Sequence, residues 1–401
     1  MSLTDLKGRI RAFKVTGPGL YAIAFVAYLV ISFIRNSTYA DYLLSSNMLQ
    51  RWNYLLAAVL LVKIYFFDQQ SVKKFFLNSV AIGIGVVVWR QTHAIDVLMY
   101  LLLILGARGI SFAAINEWFL KIGTLLLLFM MFSVVVGLIK DLVFIRDGVD
   151  RHSLGILYPT DFAAHVFFLI VSYCYYAFRR LTWYHYLSFV IIAIVLMVVT
   201  QARLDVLAIL LVIPVFWIAK QAAAGHLIAQ VVASFYWMIA PILAYVTMIA
   251  AIFYSNSNHL FTLVDHAVSG RLQLSHLAWN QYGLSGLGNH VLEHGFGAGA
   301  GAKMFYATGM EGKYFYIDSS FIRLLIIYGL VAVVFFVGTM LLIGLRSTLT
   351  RDYRLAAVML LLAISCVIEQ HLLNLAFDPF LIALLAEIDQ TIQQPNTIAE
   401  V

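Results

Sequence analysis

Charge is what this sequence lacks most. Only 11% of its residues are Asp, Glu, Lys or Arg, while 63% are hydrophobic. Polar side chains are too few to cover a globule in water, so a soluble domain is excluded and the bilayer must be the solvent. Cysteine is nearly absent. Cys174 and Cys366 both fall inside apolar segments, which leaves neither a disulfide framework nor a cysteine zinc site and says nothing of redox compartment. A small-residue cleavage site is missing after the basic start (Lys7, Arg9, Arg11, Lys14), so the first apolar stretch reads as a retained signal anchor. Short-period repeats are missing too, and the Gly-rich run GFGAGAGA at 295–302 lacks the Lys and Ser/Thr of a P-loop. It reads as a flexible connector. The net charge of +6 comes from basic residues spread over loops on one side, as insertion into an anionic membrane requires, and implies no nucleic-acid partner.

What remains is a series of apolar segments, each judged against the ~20 residues a helix needs to cross the hydrocarbon. The expected fold is an all-α polytopic membrane protein with about twelve transmembrane helices, centred in 18–35, 52–68, 74–90, 93–108, 117–139, 161–178, 183–201, 203–219, 232–254, 319–345, 355–374 and 376–390. The fourth and the last are the shortest. If every segment crosses, the N-terminus, Lys73/Lys74, Arg179/Arg180, Lys220 and Arg346/Arg351/Arg354 share one side, which is then cytoplasmic. Lys63, the most deeply placed lysine, lies near that side and is expected to snorkel. The segments 139–160, 200–205, 255–319 and 369–378 fall together on the outer face. The chain divides accordingly into membrane helices 1–254, an extracytoplasmic loop 255–319 and a final membrane part with a cytoplasmic tail, 320–401.

The loop 255–319 is too long for a plain connection, and its aromatic content (Phe261, Trp279, Tyr282, Tyr314, Tyr316) lets it bury enough surface to fold. In VSGRLQLSHLAWNQYG, Ser269 suits an N-cap and Gly283 a left-handed C-cap, which predicts a helix over 270–282. Arg271 then lies in its first turn, where the helix dipole disfavours a cation. Either an anionic ligand or pairing with Asp265 would remove that conflict. Arg203 repeats the pattern at the start of the segment after Thr200, with snorkelling or pairing to Asp205 as the plain alternative. Arg151, in RHSLGILYPTD, reaches the same side. Three guanidinium forks at one face suit a substrate carrying two phosphates.

These islands resemble the Wzy-type polysaccharide polymerases and O-antigen ligases of bacterial envelopes. RHSLGILYPTDF is similar to that family's R-x-S-L-G-F-x-x-P loop, TQARLDVLAIL to its Ser/Thr-x-x-Arg segment, and GRLQLSHLAWNQYG with IDSSFIRLLIIYGLV to its Gly-Arg helix and D-N-S-Y…Y-G stretch. Ser319 and Phe321 depart from the usual Asn and Tyr. Asp318 stands where ligases commonly carry His, which turns the likeness toward the polymerases. The resemblance implies a metal-independent glycosyltransferase of the plasma (inner) membrane, without cofactors, that moves a growing glycan from undecaprenyl diphosphate onto another lipid-linked repeat unit. A chain-length regulator and a flippase fit as partners. The matched residues give Asp318 as the first candidate base and His276 as the second, with Arg203, Arg271 and Arg151 on the diphosphate. Asp318 could equally cap the helix that follows it.

Rival readings remain open. HVLEH at 290–294 matches the H-x-x-E-H pattern of some zinc proteases, although Gly288 and Gly295 leave little helix to present the ligands. A flippase or other transporter would place its charges near the bilayer midplane, whereas here they gather at segment ends. The paired acidic residues of GT-C glycosyltransferases are missing from the first outer loop, which carries only Asp41.

Overall fold

A computed structural model of the chain describes residues 16–42, 46–146, 148–295 and 314–388. All but the first residue of the Gly-rich run lie outside these. In chain order the helices are α1 (Gly17–Arg35), α2 (Ser46–Val62, continued by a π-helical turn Lys63–Phe67), α3 (Val72–Thr92), α4 (Asp96–Gly106) and α5 (Phe112–Val135). A hairpin of β1 (Val143–Arg146) and β2 (Val149–His152) follows, then α6 (Pro159–Tyr176), α7 (Trp183–Thr200), α8 (Arg203–Ala223), α9 (Leu227–Ala233) and α10 (Tyr236–Phe253). The polar interruption supplies α11 (His259–Ala267) and α12 (Arg271–Tyr282), and the chain closes with α13 (Leu330–Leu349) and α14 (Arg354–Ile368).

Among the described residues, seven segments are long and apolar enough to cross a bilayer: α1, α3, α5, α7, α8, the α9–α10 stretch and α13. The protein is therefore a mostly helical membrane protein in composition and shape, with fewer full-length spans than the twelve expected. Its outer surface is what a lipid solvent selects. Phe66, Phe76, Leu125, Phe132, Ile194, Val198, Ile228 and Val334 all stand exposed, an apolar coat that water would not tolerate. The interior is filled by the short helices. Every residue of α4 from Val97 to Gly106 is buried, as is nearly all of α14, so these two pack on every side against longer helices.

The last expected span, 376–390, contains no spanning helix among its described residues. After α14 the chain makes a 3-10 turn at His371–Leu373 and another at Phe380–Leu384. It comes back to the end of α13 and the start of α5. Glu387 exchanges backbone hydrogen bonds with Ile110 and Phe112, at the start of α5, and Arg346 at the end of α13 donates to the Leu384 carbonyl. At the other end of α5, Ser133 is bonded by Tyr39, and the 24 residues of α5 make the two ends about 36 Å apart at 1.5 Å per residue. Irregular backbone at membrane depth is tolerated where protein surrounds it, and residues 375–383 are all buried.

The 319–345 span is broken as well. Ser320–Arg323 and a π-helical turn Leu324–Tyr328 precede Gly329, whose φ of 86° and ψ of 173° reset the direction before α13. The carbonyls left free by this break are satisfied by the loop. Asn289 donates its backbone N–H to Ile327 and its side-chain amide to Ile326. Gly288 and Gly329 meet so closely that a Cβ on either would overlap the other strand's backbone.

The 139–160 loop forms the hairpin, in register Val143↔His152 to Arg146↔Val149, with Gly148 in the turn at a φ of 75°. Lys63 does not snorkel. Its side chain is 1% exposed and its ammonium is held by Asp68 at 2.6 Å and the Arg108 carbonyl at 2.7 Å.

Candidate functional site

One cavity of about 690 Å³ opens where the hairpin, the α7–α8 turn, α12 and the end of α14 meet. How each polar side chain reaches it follows from local chain geometry. The α7 helix stops at Thr200 because Gln201 turns left-handed, φ 51° and ψ 30°, and two residues later α8 begins. Arg203 is therefore the first residue of α8 and lines the cavity, with Asp205 two residues further on, buried in the same wall. Arg151, on β2, lies against the same turn. Its Nε donates to the Thr200 carbonyl at 2.9 Å and its guanidinium sits 5.5 Å over the Tyr158 ring.

The expected helix over 270–282 is α12, with its first turn set by Ser269 and Gly270, both at positive φ. Gly270, rather than Ser269, is the N-cap, and Gly283 ends the helix at a φ of 64°. Asp265 does not neutralise Arg271 here. Its Oδ1 instead accepts the Gln273 N–H at 2.9 Å, filling one of the free donors of the first turn. Arg271 finds two other carboxylates: Nη2 donates to Glu369 Oε1 at 3.0 Å, and Nε lies 3.4 Å from Asp318 Oδ2. The conflict between a cation and the helix dipole is thus relieved inside the protein, and an incoming anion must share Arg271 with these acids.

Asp318 and Glu369 are held together by the two serines that follow Asp318. Ser319 Oγ donates to the Cys366 carbonyl at 2.9 Å, while Ser320 gives both its N–H, at 3.0 Å, and its hydroxyl, at 2.5 Å, to the Glu369 carbonyl. The free carbonyls at the end of α14 are what these hydroxyls satisfy. Asp318 itself makes the ion pair rather than a cap; the short helix at Ser320 has no side-chain cap. Burial pushes the Asp318 carboxyl above its ordinary range, with Arg271 pulling it back.

Four arginines (Arg146, Arg151, Arg203, Arg271) and five carboxylates (Asp161, Asp205, Glu293, Asp318, Glu369) line the cavity, with Tyr158, Tyr314 and Tyr316 among them. Arg146, Asp161, Asp205 and Glu369 were not expected as site residues from sequence. Asp161 and Asp205 carried a signal, since each is an acid in the first turn of an apolar helix. Glu369 carried one in its position at the end of an apolar segment. The apolar counterpart lies beside the cavity. A groove of about 530 Å³ between α5, α6 and α7 is lined by Leu128, Met131, Phe162, Leu196 and Val199, and two residues beyond Val199 the chain enters the cavity wall at Gln201.

His276, the second candidate base, is not brought to this cavity. Its Nδ1 donates to the Ala251 carbonyl at 2.8 Å and its Nε2 accepts from Asn280 at 2.9 Å, so the ring ties α12 to α10. The zinc-protease pattern also fails in geometry. Residues 290–294 are not helical, so the two histidines do not share a helix face. His290 donates to the Thr92 carbonyl at 3.3 Å and lies tilted against the His93 ring. Glu293 is clamped by both amino groups of Arg323 at 2.6 and 3.0 Å and accepts the Ile317 N–H. That clamp fixes Gly295 and Tyr314 at the cavity rim.

Compared with family models, with curated proteins and with solved structures, the chain matches none.

Proposed function

We propose that this protein polymerises undecaprenyl-diphosphate-linked oligosaccharide repeat units into a surface polysaccharide at the outer face of a bacterial plasma membrane. One observation carries the reading: Arg151, Arg203 and Arg271, drawn from three separate islands, line one cavity together with Asp318. A lipid diphosphate needs such an arrangement, because its charge grows as the bond to the sugar breaks and guanidinium forks stay charged at any pH. The apolar groove beside the cavity suits the polyprenyl chain of the same molecule. In this reading the Asp318 carboxylate takes the proton from the acceptor hydroxyl, the hydroxyl oxygen bonds to the anomeric carbon, and the carbon–oxygen bond to the diphosphate breaks. Undecaprenyl diphosphate leaves with its charge held by the arginines, and no metal is called on for that task. His276 has no part in it.

The matching topology has twelve crossings, the last of them the irregular stretch that runs from Glu369 to Glu387, with the cavity outside and the basic clusters inside. The glycan profile of a strain lacking the protein tests the function. Single repeat units left on lipid support a polymerase. Full-length polymer left on lipid would make it a ligase, and undiminished surface polymer would remove both.

A further inference from the structure

Around Arg271 the cavity wall gathers several buried carboxylates. Asp318 and Glu369 already share Arg271, and Asp161 and Asp205 line the same wall. Carboxylates withdrawn from water need a cation or a proton to offset them. Facing them is His371, whose side chain is 2% exposed and whose Nε2 has no hydrogen-bond partner. That nitrogen lies 3.5 Å from Asp161 Oδ1 and 3.5 Å from Glu369 Oε2, too far for a good hydrogen bond to either. The three ligand atoms lie within 4.8 Å of one another, and donors bound about 2.1 Å from a shared ion stand roughly 3 to 4 Å apart. A small movement would close them around one centre.

The histidine cannot easily turn away. Its ring stacks on Phe377 at 3.7 Å, and the other face of the column is His165, 3.8 Å from Phe377. The backbone beneath it is fixed by Ser320, which bonds both the Glu369 carbonyl and the Leu372 N–H. Such fixed ligands are what a metal site requires. Two further atoms in the cavity wall, Asp205 Oδ2 and Gln370 Oε1, are also buried without partners.

We propose that Asp161, Glu369 and His371 hold a divalent cation of the Mn²⁺ or Zn²⁺ type, for which two carboxylates and an imidazole are a suitable donor set. Water completes its coordination. The ion ties the start of α6 to the turn after α14 and offsets the charge of Asp161 and Glu369. Its role is to organise the wall, and it stands apart from the HVLEH segment. The proposal is independent of the glycosyl-transfer reading.

The test uses the full-length protein in detergent, stripped with a chelator, dialysed and titrated with Mn²⁺ under electron paramagnetic resonance. The expected result is a single tight Mn²⁺ that Zn²⁺ displaces, with thermal stability that falls on stripping and returns on reloading. His371→Ala and Asp161→Asn should each weaken binding by roughly tenfold to a hundredfold, since losing even an outer partner of a ligand costs that much. His290→Ala should leave binding unchanged. Folded, stripped protein that takes up neither Mn²⁺ nor Zn²⁺ would overturn the site in favour of a shared proton. Binding lost with His290→Ala but kept with His371→Ala would overturn the assignment, and wild-type binding alone decides the matter if the His371 variant does not fold.

Discussion

Replacing Arg271 by lysine separates charge from shape at the centre of the cavity. The guanidinium spans Asp318 and Glu369, with side chains 13%, 18% and 3% exposed. A lysine ammonium is a single point on a flexible stem and cannot reach both carboxylates in the geometry of a planar fork. Losing one charge-assisted contact of about 1.5–3 kcal/mol from the transition state lowers transfer roughly 10- to 150-fold. Arg271→Ala goes further. It removes the guanidinium that buried Asp318 and Glu369 share, a change that costs about 3–5 kcal/mol when one partner of a buried pair is removed, so its melting temperature should drop while the lysine variant's stays nearer the wild type. The assay is polymer formation by purified variants in nanodiscs, with thermal unfolding measured on the same samples. Arg271→Lys at wild-type turnover would refute the fork argument, because charge alone would then suffice.

Asp318→Asn should keep donor binding while turnover collapses, as the amide cannot take a proton; donor binding and turnover measured side by side check this, and full activity would move the base elsewhere. Burial raises the Asp318 carboxyl, and transfer needs it ionised. Activity should therefore fall on acidification at a pH above the ordinary aspartate range of about 4, and a pH–rate profile whose acid limb lies below that range would contradict it. A cysteine at exposed Ser257 should react with an impermeant thiol reagent in intact spheroplasts, against a low background because Cys174 and Cys366 are buried; labelling only after permeabilisation would invert the topology. Gly288→Ala should destabilise the protein by about 1–3 kcal/mol or more, since the new methyl meets the Ile327 carbonyl at a positive φ; an unchanged melting temperature would mean that the α13 entry is looser than described.

Much of the site was legible because its parts lie at segment ends. Hydropathy locates those ends, and turn chemistry at Thr200–Arg203 and Ser269–Gly283 places Arg203 and Arg271 at the first residue of their helices. Side-chain partners were not legible. Nothing local says that Arg271 turns to Glu369, almost a hundred residues away, instead of to nearby Asp265. His276 read as a candidate base because it lies in the GRLQLSHLAWNQYG island and an imidazole can take a proton, while the Ala251 carbonyl that engages it was not visible. The irregular final stretch was hidden for a related reason. Its apolar run reads as a helix by hydropathy, yet burial on all sides lets the backbone follow another path with His371 and Asp378 inside it.

The most direct test is to incubate the purified protein, in nanodiscs, with a synthetic undecaprenyl-diphosphate-linked repeat unit and to separate the lipid-linked products by size. The account predicts a ladder of longer glycans on lipid with matching release of undecaprenyl diphosphate, abolished by Arg203→Ala and by Asp318→Asn. A substrate recovered unchanged at its starting length, from folded protein supplied with the repeat unit of its own strain, would contradict it.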